Sequence, residues 1–295
     1  MTYPTLETLN PESLILSEDT NPGLSADQLI EAQYRDGGTR TIATKVYGDT
    51  GENTETVLWY LGMHERWERP FPGNVLRMFE QAGIRLIAIE PPGRFTGSDG
   101  AHSVADYAAD AAAVMEAYDL ERAHMGARST GGAHALASRV LLGDRLQSLT
   151  LISSVVPLEE GTLSPYDALK GTTEDFKHSD TPLADRRNVV EPEMVRVLVG
   201  PREVDVNRVR SYLGMLSMPW NFEPGEGSAE TPTVIIHGEE DTTFPYENAR
   251  TLRGFMPRSV IQIESYMAHL GTMGEPTFDA LRAAIDMSHG RRYFL

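Results

Sequence analysis

The sequence predicts an α/β protein: a mostly parallel central sheet with helices on both faces and an inserted helical lobe. Three observations predict it. Short continuous apolar runs, such as residues 56–61 and 84–89, have the composition of strands buried on both faces. These runs alternate with helix-like segments of roughly ten to fifteen residues, the pattern of repeated β-α-β units. The alternation then stops between residues 158 and 230, where prolines and charges rise, and resumes at residue 231.

Taken in order, residues 1–38 form an acidic arm, with seven carboxylates against Arg35 alone. Within it, residues 25–34 are expected as a surface helix outside the main sheet, with Ser25 as N-cap and Leu29, Ile30 and Ala32 for packing. Residues 41–47 read as a strand closed by the turn Gly48-Asp49-Thr50-Gly51, and residues 56–61 as a buried strand. A loop at 62–73 leads to a helix at 74–82, which Gly83 ends before the strand at 84–89. An alanine-rich helix at 104–118 feeds a strand at 123–127, followed by a helix at 133–142 and a strand at 148–152. After the inserted lobe come a strand at 233–237, a helix at 246–255, a strand at 260–263 and a final helix at 276–287. Within the lobe, residues 203–216 place Val206, Val209, Leu213 and Leu216 on one helical face. An insertion after one strand of a parallel sheet is expected to lie over the carboxyl ends of the strands, where open α/β sheets bind ligands. The resulting division is an arm at 1–38, a core at 39–157 and 231–295, and a cap at 158–230.

Composition narrows the function classes. With 26 basic against 43 acidic residues the 295-residue chain carries a formal charge of −17, which argues against nucleic acid and anionic membrane as partners. There is no cysteine, hence neither a disulfide framework nor a thiolate metal site. No apolar run approaches the ~18 residues of a membrane span, and the opening MTYPTLETLN has no signal-peptide pattern, so a cytoplasmic location is expected. The composition leaves the oligomeric state open.

The chemistry concentrates around Gly126-Ala127-Arg128-Ser129-Thr130-Gly131-Gly132, between an apolar strand and a helix. Small residues flank one serine where a strand must turn sharply, which pushes the hydroxyl out of the sheet edge. The following helix then aims its first N–H groups at charge developing there. The pattern A-x-S-x-G differs by one methyl from the G-x-S-x-G elbow. Two further loops follow strands: His237-Gly238-Glu239-Glu240-Asp241 and Ala268-His269-Leu270-Gly271. In chain order they supply Ser129, Asp241 and His269, separated by 112 and 28 residues, with room for the cap between nucleophile and acid. Asp241 has competitors as the acid in Glu159 and Glu160, and helix capping as an alternative role. His237, ending a strand, is expected as a packed core histidine.

These motifs, in this order, resemble the α/β-hydrolase fold superfamily over roughly residues 40–290. Besides the elbow, Leu61-Gly62 is similar to the family's His-Gly, and Glu90-Pro91-Pro92-Gly93 with Gly97-Ser98-Asp99 to its D-x-P-G-x-G-x-S loop. The resemblance implies Ser129 as nucleophile, His269 as general base and then acid, and Asp241 as the group orienting His269. It also implies an oxyanion hole from the backbone N–H groups of Met63 and Thr130. The expected activity is cleavage of an ester-like bond in a small to medium apolar substrate, without a cofactor. Carbon–carbon or amide hydrolysis, acyl transfer to another acceptor, a cofactor-free lyase or cyclase, and a catalytically silent binding protein stay open as alternatives. Ala127, Leu61 and Glu90 depart from the family pattern without removing a member of the Ser-His-Asp set.

His64, Trp67, Met215, Met218 and Trp220 are candidate pocket residues, although packing of the cap onto the core would favour the same Met and Trp residues. Arg128 is expected to give structural support, and Arg66 and Arg69 to form a solvated loop face. His102, His124, His134, His178 and His289 show no ligand spacing, so no metal is expected.

Overall fold

A computed structural model describes residues 27–33, 39–48, 51, 54–62, 70–90, 104, 108–156, 220, 230–241, 244–269 and 274–291. Among these residues eight strands form one sheet: β1 (Gln28–Gln33), β2 (Thr39–Tyr47), β3 (Glu55–Tyr60), β4 (Ile84–Ile89), β5 (Ala123–Arg128), β6 (Leu146–Ile152), β7 (Thr233–Gly238) and β8 (Val260–Glu264). Their spatial order is β1-β2-β4-β3-β5-β6-β7-β8. The pairings β1–β2 and β2–β4 are antiparallel, and every pairing from β4 to β8 is parallel.

Among the described residues five α-helices cover the sheet: α1 (Gly73–Gln81), α2 (Ala108–Ala117), α3 (Gly131–Leu142), α4 (Glu247–Phe255) and α5 (Glu275–Ser288). Strand side chains alternate between two apolar layers, as a period of two requires. Leu58, Tyr60, Met125 and Ala127 pack with Val114, Met115, Leu136 and Leu252 on one face. Val57, Trp59 and Leu61 pack with Val75, Phe79, Leu281 and Ile285 on the other. The central strands are buried at nearly every position, which is why their sequences read as unbroken apolar runs.

Residues 25–34 correct the sequence expectation. Gln28–Gln33 is a strand, β1, paired with β2 from Gln28 opposite Thr44 to Gln33 opposite Thr39. Ile30 and Ala32 point into the core while Leu29, the residue before Ile30, is 62% exposed. That is a period of two, and the apolar residues counted toward a helix face fall on opposite faces of a ribbon. Pairing with β2 outweighs local propensity here. Asp27 reinforces the junction, accepting from the Val46 amide at 2.8 Å and from Lys45 Nζ at 3.2 Å. Among the described residues no helix is long and apolar enough to cross a membrane. The cap expected at 158–230 lies outside the described residues except Trp220 and Glu230.

Candidate active site

Parallel strands start and end together, so loops after neighbouring strands gather at one edge. Ser129 follows β5, Asp241 follows β7 and His269 follows β8. The strand ladder carries on through Ser129, whose amide donates to the Ile152 carbonyl at 3.0 Å. The chain then turns abruptly: Ser129 has φ +53°, the left-handed region that a non-glycine residue enters at a cost of order 1–3 kcal/mol. The turn is held from below, since the Ser129 carbonyl accepts from the amides of Gly132 at 3.1 Å and Val155 at 3.2 Å. Close packing demands the glycines that follow. A Cβ on Gly131 would sit 2.5 Å from the Tyr60 carbonyl oxygen, and one on Gly132 would sit 2.6 Å from Ser154 Cβ. Ala127, the extra methyl of the elbow, is fully buried in the apolar layer that holds Met125 and Leu136.

The three side chains form one hydrogen-bonded line. Ser129 Oγ is 3.0 Å from His269 Nε2, and His269 Nδ1 is 2.8 Å from Asp241 Oδ2. All three residues are buried. Asp241 receives two more contacts. The Phe244 amide donates to Oδ1 at 2.9 Å, and His237 Nε2 lies 3.3 Å from Oδ2. His237 Nε2 also lies 2.8 Å from the Phe244 carbonyl oxygen, so one N–H is shared between two acceptors. His237 is therefore the fully buried histidine expected from sequence, with a second task in steadying the carboxylate. The loops of Asp241 and His269 are tied together directly: the amides of Glu239 and Glu240 donate to the carbonyls of Glu264 and Met267 at 3.0 Å each. Phe244 completes the wall, its ring edge-on to the His269 imidazole with centroids 5.3 Å apart.

Electrostatics follow from this burial. Desolvation alone would raise the Asp241 carboxyl, but hydrogen bonds from His237, His269 and the Phe244 amide outweigh it and hold the group well below the usual carboxylate range. Burial lowers His269 below the ordinary imidazole value, with the Arg128 charge acting in the same sense and Asp241 opposing both. The imidazole is thus neutral at physiological pH, the form that accepts a proton.

Arg128 has a more specific position than general support. It is 1% exposed, and its Nη2 donates to the His269 backbone carbonyl at 2.9 Å. Gly62 packs tightly under Ser129, where a Cβ would meet Ser129 Cβ at 3.0 Å. Thr130 is buried at the N-cap of α3. Trp220 is 3% exposed and belongs to the same apolar layer as Val155 and Phe244. Met63, His64, Arg66, Trp67, Arg69, Glu159, Glu160, Met215 and Met218 lie outside the described residues. His124 and His289, which show no ligand spacing in sequence, are gathered by the fold with Glu55 at the opposite end of the strands.

No protein-family model matches the chain. A non-heme chloroperoxidase of Burkholderia pyrrocinia is 31% identical over 221 residues, covering 63% of this chain and 76% of that protein. A 2-hydroxymuconate semialdehyde hydrolase of Pseudomonas sp. (strain CF600) is 27% identical over 173 residues, covering 54% and 59% respectively. Among solved structures, a thermophilic esterase from Thermogutta terrifontis with malate bound superposes with a TM-score of 0.61. It shares 19% identity, and the match covers 89% of this chain and 99% of that one. With the sheet order, the elbow and this kinship together, the chain belongs to the α/β-hydrolase fold superfamily and is an enzyme of hydrolase type.

Proposed function

We propose that the chain is a serine hydrolase that cleaves a carboxylic ester, lactone or thioester through an acyl-enzyme on Ser129. The observation that carries this reading is the unbroken line from Ser129 Oγ through the His269 ring to Asp241, with links of 3.0 and 2.8 Å. A serine hydroxyl attacks a carbonyl carbon at neutral pH only if a base removes its proton as the new bond forms. His269 Nε2 takes that proton, and the Asp241 carboxylate stabilises the imidazolium and fixes the tautomer. His269 then gives the proton to the departing alcohol or thiol. The attacking water reverses these roles, leaving the free acid and the regenerated serine.

The negative oxygen of the tetrahedral intermediate would be met by the N–H groups of Met63 and Thr130, each such donor being worth about 3 kcal/mol of barrier. Support for Thr130 comes from its position as N-cap of α3, where the helix dipole favours negative charge. In this reading the cap at 158–230 covers the site, and Trp220, Met215 and Met218 with His64 and Trp67 form an apolar pocket. The esterase and semialdehyde hydrolase among the similar proteins fit a hydrolytic reaction without fixing the substrate.

A fluorophosphonate probe tests the reading. It should label the native chain at Ser129 and leave Ser129→Ala unlabelled, and a panel of p-nitrophenyl esters, lactones and thioesters of graded length should reveal substrate class. Equal labelling of the Ser129→Ala variant would end the serine mechanism.

A further inference from the structure

At the amino ends of the strands, away from Ser129, three ligand-type side chains converge. Glu55 opens β3, His124 is the second residue of β5, and His289 directly follows the last residue of α5. The parallel register sets Val57 beside His124, which brings Glu55 and His124 to the same end of the sheet. His124 Nε2 lies 3.0 Å from Glu55 Oε2, and His289 Nε2 lies 2.7 Å from Glu55 Oε1. The ligand atoms of all three lie within 4.8 Å of one another. The two rings are edge-on, with centroids 6.3 Å apart, so each directs Nε2 at the carboxylate instead of stacking.

The surroundings differ from those of a surface ion pair. The His124 side chain is 1% exposed, whereas those of Glu55 and His289 are 33% and 31% exposed. One ligand is fixed in a dry wall, and the other two stand at an opening where a solvent molecule can complete a coordination sphere. The second nitrogen of His124, Nδ1, is 2.8 Å from the Oγ of Ser148, itself buried. When the hydroxyl accepts the Nδ1 proton, the tautomer is set and a lone pair on Nε2 faces the Glu55 carboxylate. In the metal-free chain the other tautomer, with the Ser148 hydroxyl donating to Nδ1, lets Nε2–H hydrogen-bond the Glu55 carboxylate, and a cation takes the place of that proton.

We propose that Glu55, His124 and His289 bind a divalent transition cation of the zinc type, with water in the remaining position. Two imidazoles and one carboxylate are a borderline donor set that zinc accepts, whereas calcium and magnesium require oxygen donors. Zinc–ligand bonds of roughly 2.0–2.1 Å set neighbouring donors about 3.3 Å apart. A small outward adjustment of Glu55 and an inward one of His289, which stands beyond the helix end, produce that spacing. His124 is five residues before Ser129, about 17 Å along an extended strand, so the ion takes no part in chemistry at Ser129. It fastens the end of α5 to the starts of β3 and β5, and its binding stabilises the folded chain by mass action.

The test is calorimetric titration of zinc chloride into untagged protein stripped with EDTA and desalted, with the thermal midpoint measured alongside. The expected result is one zinc ion per chain and a raised midpoint. Both effects should disappear in His289→Ala and in His289→Gln, whose amide keeps a hydrogen bond to Glu55 but is a poor ligand. Ser148→Ala should weaken the affinity roughly tenfold, as loss of an outer partner does at histidine sites. No binding at millimolar zinc would overturn the proposal and leave a hydrogen-bonded clamp only. Undiminished binding in both His289 variants would also overturn it and assign the ion elsewhere, with Asp241, His237 and His269 the first place to look.

Discussion

Arg128 donates from Nη2 to the backbone carbonyl of His269 at 2.9 Å, so the residue preceding Ser129 anchors the loop that carries His269. The contact spans 141 residues of sequence and closes entirely inside the protein. It makes Arg128 a positioning residue with an electrostatic side effect, because its charge helps to hold the His269 pKa down.

Arg128→Met should therefore do two separable things. Leaving the His269 carbonyl unsatisfied should cost about 1–3 kcal/mol of stability, read by denaturant unfolding. Removing the charge should move the acid limb of the kcat/KM profile to higher pH, since His269 would hold its proton more tightly. In the native enzyme that limb should lie below the ordinary imidazole value of about 6.5. A variant that loses stability but keeps the limb in place would show that Arg128 acts through packing alone.

Asp241→Asn should lower kcat by roughly four orders of magnitude through the wrong His269 tautomer, with KM little changed. Its stability loss should depend on pH in a defined sense. The native carboxyl is held below its unfolded value of about 3.9. Its contribution is thus fully present above that value and lost as pH falls through the lower folded one. The stability gap between native and variant should narrow only in strong acid. A kcat loss under tenfold would transfer the acid role to Glu159 or Glu160.

Gly131→Ala should destabilise the protein by about 1–3 kcal/mol, since the new methyl meets the carbonyls of Tyr60 and Leu61. Gly254→Ala, on α4, is the matched control. Nothing lies within 4 Å of its added Cβ, and helix propensity predicts a gain of about 0.5–1 kcal/mol. Urea midpoints moving in opposite directions would bear out the close-packing argument; equal shifts would refute it.

Trp220→Phe should shift the preferred acyl chain in a p-nitrophenyl ester series while turnover of the acetate stays near its original rate. Phenylalanine retains most of the apolar packing at this buried position, so the variant probes shape more than folding. A uniform fall across all chain lengths would mean that Trp220 packs the core and leaves substrate size to other residues.

Much of this was legible in the sequence for a definite reason. Strands buried on both faces leave unbroken apolar runs, so Ile84–Ile89 was found to the residue and β3 and β7 within one. That Ser129, Asp241 and His269 would meet was legible because each stands in the segment that follows a parallel strand. β1 was not legible: Gln28–Gln33 has only Ile30 and Ala32 turned inward, and its partner lies across a hairpin that local propensity cannot weigh. Arg128 was legible as structural support and His237 as a packed core histidine, but their acceptors depend on how distant loops meet. Glu55 and His289 are 234 residues apart, a separation that no spacing rule spans.

The strand order carries a consequence for how the chain reaches its working state. β5, β6, β7 and β8 are neighbours in the sheet, yet the pairing of β6 with β7 joins Leu149 to Thr233 across the whole inserted segment. Parallel pairings of such separation require costly loop closure before any contact rewards it, and they form slowly. Ser129 stands on one side of that seam, and Asp241 and His269 stand on the other. A refolding chain can thus regain helix content and much of its fluorescence while remaining inert. Recovery of turnover would time the closing of a single seam, between β6 and β7.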